Sequence, residues 1–409
     1  MSKVIKKCGL KVGYFMKKKL LILLLLFFYI SLQAQTEKNY TFNAEFIYGN
    51  ILKHTKHLEN LVDGPVMGGE LSVEWQTMGE KPWHQYFRFP AIGIGLVGLD
   101  LGNSQQLGQL LAIYPYLNMR LINRPYLKVN LKGGAGVSFL NKRFDNTATD
   151  LADLNTGNAA IGSIVNVYFA GGANVEIPVS KAFSAVVSAG WNHASNGSFY
   201  QPNSGINMLN VSVGVKYNPV YKLQYEPVKR HVRNLPQKFI VEVIASGGAR
   251  ELYYKDDKMY PTGSVVLAAY RQIGNVLRIG IGLDGFYDGV YDGTTKFERT
   301  YLKDNKLENK IRAGVSLQPE LVFGRLTAGI HLGIYVYNPL KNLEPYTQAE
   351  AGELNKPLVY KYNIEQEDGW FYSRAALKYL LTDHTFVSLG LKTHLQKAEF
   401  IEWGLGYRF

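Results

Sequence analysis

The chain has one cysteine, Cys8, and only 19 % charged residues among 409. Cys8 stands ahead of an apolar leader-like run and would leave with it, so a disulfide-stapled secreted scaffold is excluded. Beyond residue 35 no apolar run approaches the roughly 18 residues of a membrane-crossing helix, and a helical membrane bundle is excluded with it. Metal-ligand spacing and a phosphate-cradling glycine loop are missing, so no metal or cofactor is expected. The segment GIGLVG at 93–98 sits in a strand pattern, not at a strand-to-helix turn, and so is no dinucleotide motif. What is abundant is aromatic and small: 28 Tyr, 20 Phe and 5 Trp beside 41 Gly. A chain of strand formers and turn formers with few continuous apolar runs follows.

Residues 1–34 carry seven Lys and no acid, with the apolar run Leu20 to Leu32 behind the charges and Ala34 as a small residue for cleavage. They read as a signal peptide. Removing those seven lysines takes the formal net charge from +12 to +5. The basic balance is therefore mostly a targeting signal, and no nucleic-acid partner is expected.

Past the leader, alternation dominates. From Leu127 one parity reads Leu127, Val129, Leu131, Ala135, Val137, Phe139 against Lys128, Asn130, Lys132, Ser138, and 326–337 repeats the pattern. A soluble sandwich alternates as well, so loop lengths supply the second test. Strands read at roughly 40–50, 68–78, 83–100, 107–122, 126–140, 160–178, 182–196 and 206–219 leave tight turns at 79–82, 123–125 and 179–181, with longer connections between them. The second half gives strands at roughly 238–249, 260–272, 276–288, 309–322, 325–337, 369–381, 384–395 and 398–409, with a long loop at 338–368 and a short last hairpin near Gln396 and Lys397. Short turns alternating with long loops are the habit of transmembrane barrels. The chain also ends on Trp403, Leu405, Tyr407 and Phe409 of one parity, which resembles the assembly signal of bacterial outer-membrane proteins. The fold class expected is all-β: an antiparallel transmembrane β-barrel in the outer membrane, with the lipid bilayer and the barrel-assembly machinery as partners. Pro115, inside the fourth strand, is expected at a bulge.

The halves repeat. GIGLVG (93–98) and GIGLDG (280–285) fall on the third strand of each, VSAG (187–190) and VSLG (387–390) on the seventh. Between them a segment with Pro219, Pro227, Pro236 and several cations has the composition of a linker. It is longer than a neighbouring strand would need, so two tandem eight-stranded barrels, 36–220 and 237–409 with a periplasmic linker at 221–236, are favoured over one sixteen-stranded barrel.

Chemistry is sought where alternation breaks. On the seventh strand the outward parity Phe183, Ala185, Val187, Ala189, Trp191 continues into His193 and Ser195; on the eighth, Leu209 to Tyr217 continues backward to Asn207. At about 2.3 Å of height per tilted residue, the dozen residues up to His193 climb a band of about 25 Å, which puts the three polar residues at the edge of the lipid. A Ser and a His two apart on a strand share a face, so the imidazole can deprotonate the hydroxyl for attack on an ester. The plainer reading of such a pair is that polar residues near a loop mark where the lipid band ends.

The longer string His193-Ala-Ser195-Asn196-Gly197, followed by Asn203-Ser-Gly205-Ile-Asn207, resembles the lipid A 3-O-deacylase family of outer-membrane esterases and its acyloxyacyl-hydrolase-like relatives, which carry HxSN followed by N-x-G-x-E. The resemblance covers roughly 38–220 and is specific over 190–210. It implies an eight-stranded barrel whose partner is lipid A or lipopolysaccharide, with His193 as general base, Ser195 as nucleophile, and Asn196 and Asn203 at the oxyanion site. Asn207 stands where the family has an acid; it can orient the imidazole but cannot stabilise imidazolium by charge. The alternative is a non-catalytic barrel, a channel or adhesin on the same scaffold. The second half lacks the motif: Thr393 takes the place of His193, and His394, beside Glu402 and Arg408, is expected in an interior charge network. His54, Lys56, His57, Lys142 and Arg143 are read as loop charges able to meet lipopolysaccharide phosphates.

Overall fold

A computed structural model describes residues 39–54, 56–144, 157–221, 227–232, 238–252, 258–291, 307–338, 370–394 and 397–409. The leader at 1–34 with Cys8, the long loop at 339–368 and Gln396 lie outside the described residues. Sixteen antiparallel strands form two closed barrels. The first runs β1 (Tyr40–Ile51), β2 (Val66–Gln76), β3 (Ala91–Asp100), β4 (Gln109–Arg124), β5 (Leu127–Leu140), β6 (Val165–Pro178), β7 (Phe183–Ser195), β8 (Ile206–Tyr217). The second runs β9 (Phe239–Glu251), β10 (Met259–Ile273), β11 (Leu277–Asp288), β12 (Ile311–Phe323), β13 (Leu326–Tyr337), β14 (Phe371–Leu380), β15 (Thr385–His394), β16 (Lys397–Arg408). Closure is explicit in the register: β1 pairs with β8 from Phe42↔Tyr217 to Ile51↔Met208, and β9 with β16 from Gly248↔Glu402 to Glu242↔Arg408. A single sixteen-stranded barrel is thereby set aside.

The alternation sorts as a membrane barrel requires. Outward residues such as Val211, Val213, Ile281, Ile330, Trp403 and Leu405 are more than half exposed, while the other parity turns polar groups inward. Inside the first barrel Lys216 bridges Glu74 at 2.8 Å and Glu176 at 3.0 Å, Lys132 pairs with Glu70, and Tyr114 donates to Glu70 at 2.8 Å. The second interior is more heavily charged: Arg374 bridges Asp284 at 2.7 Å and Glu402 at 2.6 Å, and Lys378 bridges Glu242 at 2.8 Å and Glu320 at 2.5 Å. Taking these charges out of water is costly; pairing offsets that cost, and removal of one partner would leave a buried charge uncompensated at about 3–5 kcal/mol. The repeated glycines make room for this filling. A Cβ on Gly93 or Gly95 would overlap the ring of Tyr116 or Tyr114, and one on Gly280 the ring of Tyr270.

Three local expectations change. Residues 83–90 are not strand: Pro82 opens the short helix Pro82–Tyr86, where its missing N–H is no loss, and Trp83 packs edge-on against Phe323 of the other barrel at 6.1 Å. The connection from β2 to β3 therefore spans 77–90 and is no tight turn. Pro115 pairs in register with Ile94; the β4–β5 register slips between Arg120 and Ile122 instead. In the second barrel Lys392 pairs with Glu399, a residue the sequence did not single out, while His394 Nδ1 meets the Phe371 carbonyl at 2.9 Å.

The barrels touch at both ends. At the short-turn end Phe87 stacks on Phe323 with centroids 4.7 Å apart, and Asn275 Nδ2 donates to the Tyr86 hydroxyl at 2.6 Å. At the long-loop end the connection from β7 to β8 meets β9 and β16 through hydrogen bonds.

Candidate active site

Hairpin pairing assembles the site. β7 and β8 are directly cross-paired at His193↔Asn207, so the two side chains leave the sheet on the same face about one strand spacing apart. Ser195, two residues beyond His193, stands on that face as well. The outcome is a chain of two short hydrogen bonds: Asn207 Oδ1 lies 2.8 Å from His193 Nδ1, and Ser195 Oγ lies 2.8 Å from His193 Nε2. An amide oxygen can only accept, so the proton sits on Nδ1 and Nε2 is left to accept the serine proton. The ring is held flat by Trp191, stacked at 5.6 Å with a 17° interplanar angle, and flanked by Phe169 at 6.2 Å. Trp191 is itself exposed on the outward face. Gly205, at φ +75°, closes the third side; a Cβ there would stand 3.0 Å from the imidazole Cε1. Only glycine combines that dihedral with that approach.

The two asparagines expected at the oxyanion site behave differently. Asn196 is buried and its amide nitrogen is occupied, donating to Ser163 Oγ and to the Tyr200 carbonyl at 2.9 Å each. It braces the loop. Asn203 accepts from the Asn196 backbone N–H through Oδ1 at 3.1 Å, which ties its amide to the residue next to Ser195. Its Nδ2 is buried with no hydrogen-bond partner among the described residues. A buried N–H without an acceptor costs about 1–3 kcal/mol, so this donor is open to an oxygen acceptor placed beside it. Between the two asparagines, Gly197 and Ser198 both adopt left-handed backbone, φ +62° and +65°. For the serine that conformation costs about 1 kcal/mol and persists only where surrounding contacts enforce it.

Two participants carried no usable signal in the sequence. Ser163, from the connection before β6, bonds both Asn196 and Asn166. His54 reaches the site from the end of β1: its Nε2 is 2.9 Å from the Ser204 carbonyl, and Asn207 Nδ2 lies 3.5 Å from both ring nitrogens. Its place in the sequence reads as a loop charge, but the side chain packs behind Asn207. Lys142 and Arg143 are exposed, and the side chains of Lys56 and His57 lie outside the described residues.

Residues 67–216 match the family model "Lipid A 3-O-deacylase (PagL)", and residues 239–349 and 358–409 match "Acyloxyacyl hydrolase, C-terminal domain". The chain belongs to this deacylase family. It is an outer-membrane β-barrel protein of a family of acyl hydrolases. Among solved structures it is similar to Neisserial surface protein A, at 10 % identity and TM-score 0.29 over 44 % of this chain and 96 % of that one. It is also similar to the outer membrane enzyme PagL, at 15 % identity and TM-score 0.28 over 42 % of this chain and 97 % of that one. No curated protein matches the chain.

Proposed function

We propose that this deacylase-family barrel is a serine esterase that hydrolyses an acyl ester of lipid A or lipopolysaccharide from the lipid-facing surface of its first barrel. The observation that carries the reading is the hydrogen-bonded series Ser195 Oγ, His193 Nε2, His193 Nδ1, Asn207 Oδ1, with both bonds at 2.8 Å. Ser195 Oγ attacks the ester carbonyl as His193 takes its proton; the carbonyl oxygen, now anionic, turns to Asn203 Nδ2. The imidazolium then protonates the leaving alcohol, and an acyl-serine remains. Water, deprotonated by the same imidazole, releases the fatty acid and restores the hydroxyl. Lipid access is supported by the outward parity of His193 and by the exposed Trp191 beside it, a surface suited to an acyl chain already dissolved in the bilayer. The ion pairs that fill both interiors speak against the channel alternative. The leader at 1–34, the barrels at 36–220 and 237–409, and a periplasmic linker at 221–236 complete the reading. The test is fatty-acid release from lipid A by the purified full chain. Release that disappears in Ser195→Ala supports the esterase; no release, or release indifferent to that change, overturns it.

A further inference from the structure

The second barrel grips the loop on which the candidate site depends. Three contacts cross from it to the residues between Asn196 and Asn203. Glu251, the last residue of β9, accepts the backbone N–H of Gln201 through Oε2 at 2.7 Å. Its own backbone N–H donates to the Ser198 carbonyl at 3.0 Å. Ser198 Oγ in turn donates to the Ala398 carbonyl on β16 at 2.5 Å. Gly197 completes the contact: a Cβ on it would overlap Ile401 and stand 3.2 Å from Leu391, so the loop backbone lies flush against the outward face of β15 and β16. Glu251 is 7 % exposed, so its bonds form out of competition with water.

These contacts fall at particular places. Ser198 is the left-handed residue three positions after Ser195, and Gln201 is two before Asn203. Within the first barrel the loop is held through Asn196 to Ser163 and to Tyr200, through His54 to the Ser204 carbonyl, and through the Gly205 N–H to the Ala160 carbonyl at 2.9 Å. Ser198 and Gln201 are gripped from the second barrel. Glu251 touches neither Ser195 nor His193 among the described contacts, so its influence passes through the loop backbone to the aim of Asn203.

We propose that the second barrel serves the reaction of the first as a loop clamp, with Glu251 as a positioning residue that sets Asn203 against the developing oxyanion. This rests on the esterase reading above. Orientation is where such a residue acts, since a misplacement of about 1 Å can cost about 10²-fold in rate. The expected signature of Glu251→Ala is therefore a kcat lowered by about ten- to a hundredfold with KM nearly unchanged. Glu251→Gln, whose amide oxygen still accepts from Gln201, should recover most of the loss.

The experiment is lipid A hydrolysis by the full chain, alongside phosphonylation of Ser195 by a fluorophosphonate and heat-modifiable gel migration as the check on folding. Slowed hydrolysis and slowed phosphonylation in folded Glu251→Ala, recovered in Glu251→Gln, support the clamp. Wild-type rates in folded Glu251→Ala overturn it while leaving the esterase reading intact. A folded alanine variant whose loss Gln does not recover also overturns it. Where Glu251→Ala fails to fold, Ser198→Ala carries the test, since it deletes the bond to Ala398 from the other side and is expected to lower kcat in the same direction. An unchanged rate there overturns the clamp. A wild-type chain that neither releases fatty acid nor is phosphonylated at Ser195 overturns the esterase reading and the clamp with it.

Discussion

Replacing Asn207 by Asp tests the charge of the proposed Ser195–His193–Asn207 triad with almost no change in shape. The amide oxygen that now accepts from His193 Nδ1 at 2.8 Å would become a carboxylate oxygen in the same position. Its negative charge would lie about 4 Å from the centre of the imidazolium formed in the transition state. At an effective dielectric of about 20, two unit charges at that separation attract by about 4 kcal/mol. At about 1.4 kcal/mol per decade, this is an acceleration of up to about 10³-fold. The second carboxylate oxygen would face His54, whose ring nitrogens lie 3.5 Å from the present Nδ2 and already meet the Leu52 and Ser204 carbonyls, so it would have to share a ring N–H with one of them. Position 207 is at the rim of the barrel, where an added acid costs little folding energy compared with the midplane. Asn207→Ala is the opposite perturbation. It removes the acceptor that fixes the tautomer and should lower turnover by about 10²-fold, within the usual range for a disturbed general base. Both variants are read by the initial rate of fatty-acid release from lipid A in mixed micelles, normalised to the fraction that migrates as folded barrel. A faster Asp and a slower Ala enzyme are expected. Should Asp leave the rate unchanged or lower it while Ser195→Ala abolishes release, charge is not the missing factor and the site runs by orientation alone.

Asn203→Ala should lower kcat by about 10²–10³-fold with a nearly unchanged KM, the usual signature of a lost oxyanion donor. Wild-type turnover in that variant would remove Asn203 from the mechanism. Residues 36–222 expressed alone should refold in detergent and show heat-modifiable migration, because β1 and β8 close the first barrel without help from β9–β16. A fragment that fails where the full chain refolds would show that the barrels fold only together.

Much of this molecule follows from period-two patterning. Each strand of the first barrel shows its lipid face and its filled face in the linear order of residues, because side chains on a strand alternate whatever the partner. The repeat of GIGLVG and GIGLDG was visible, but its reason was not. Gly93, Gly95 and Gly280 yield to the rings of Tyr116, Tyr114 and Tyr270, and Gly282 to Gln318, all from adjacent strands. The helix at 82–86 was missed for a related cause: the alternation of 83–100 starts only at Ala91, and what holds Trp83 is Phe323 of the other barrel.

At the site, the pairing of His193 with Ser195 was legible because both belong to one strand, and Asn207 joined them because one hairpin fixes the register. Local sequence determines such contacts. The division of labour between Asn196 and Asn203 was not legible, since it turns on whether Ser163, 33 residues away, takes the Asn196 amide. The place of His54 behind Asn207, 153 residues apart, and the grip of Glu251 on Gln201 depend on closure of one barrel and on the docking of the second. Parity tells a side chain which way to face, but only the closed and docked barrels decide what it meets there, because that neighbour arrives from a part of the chain with no periodic relation to it.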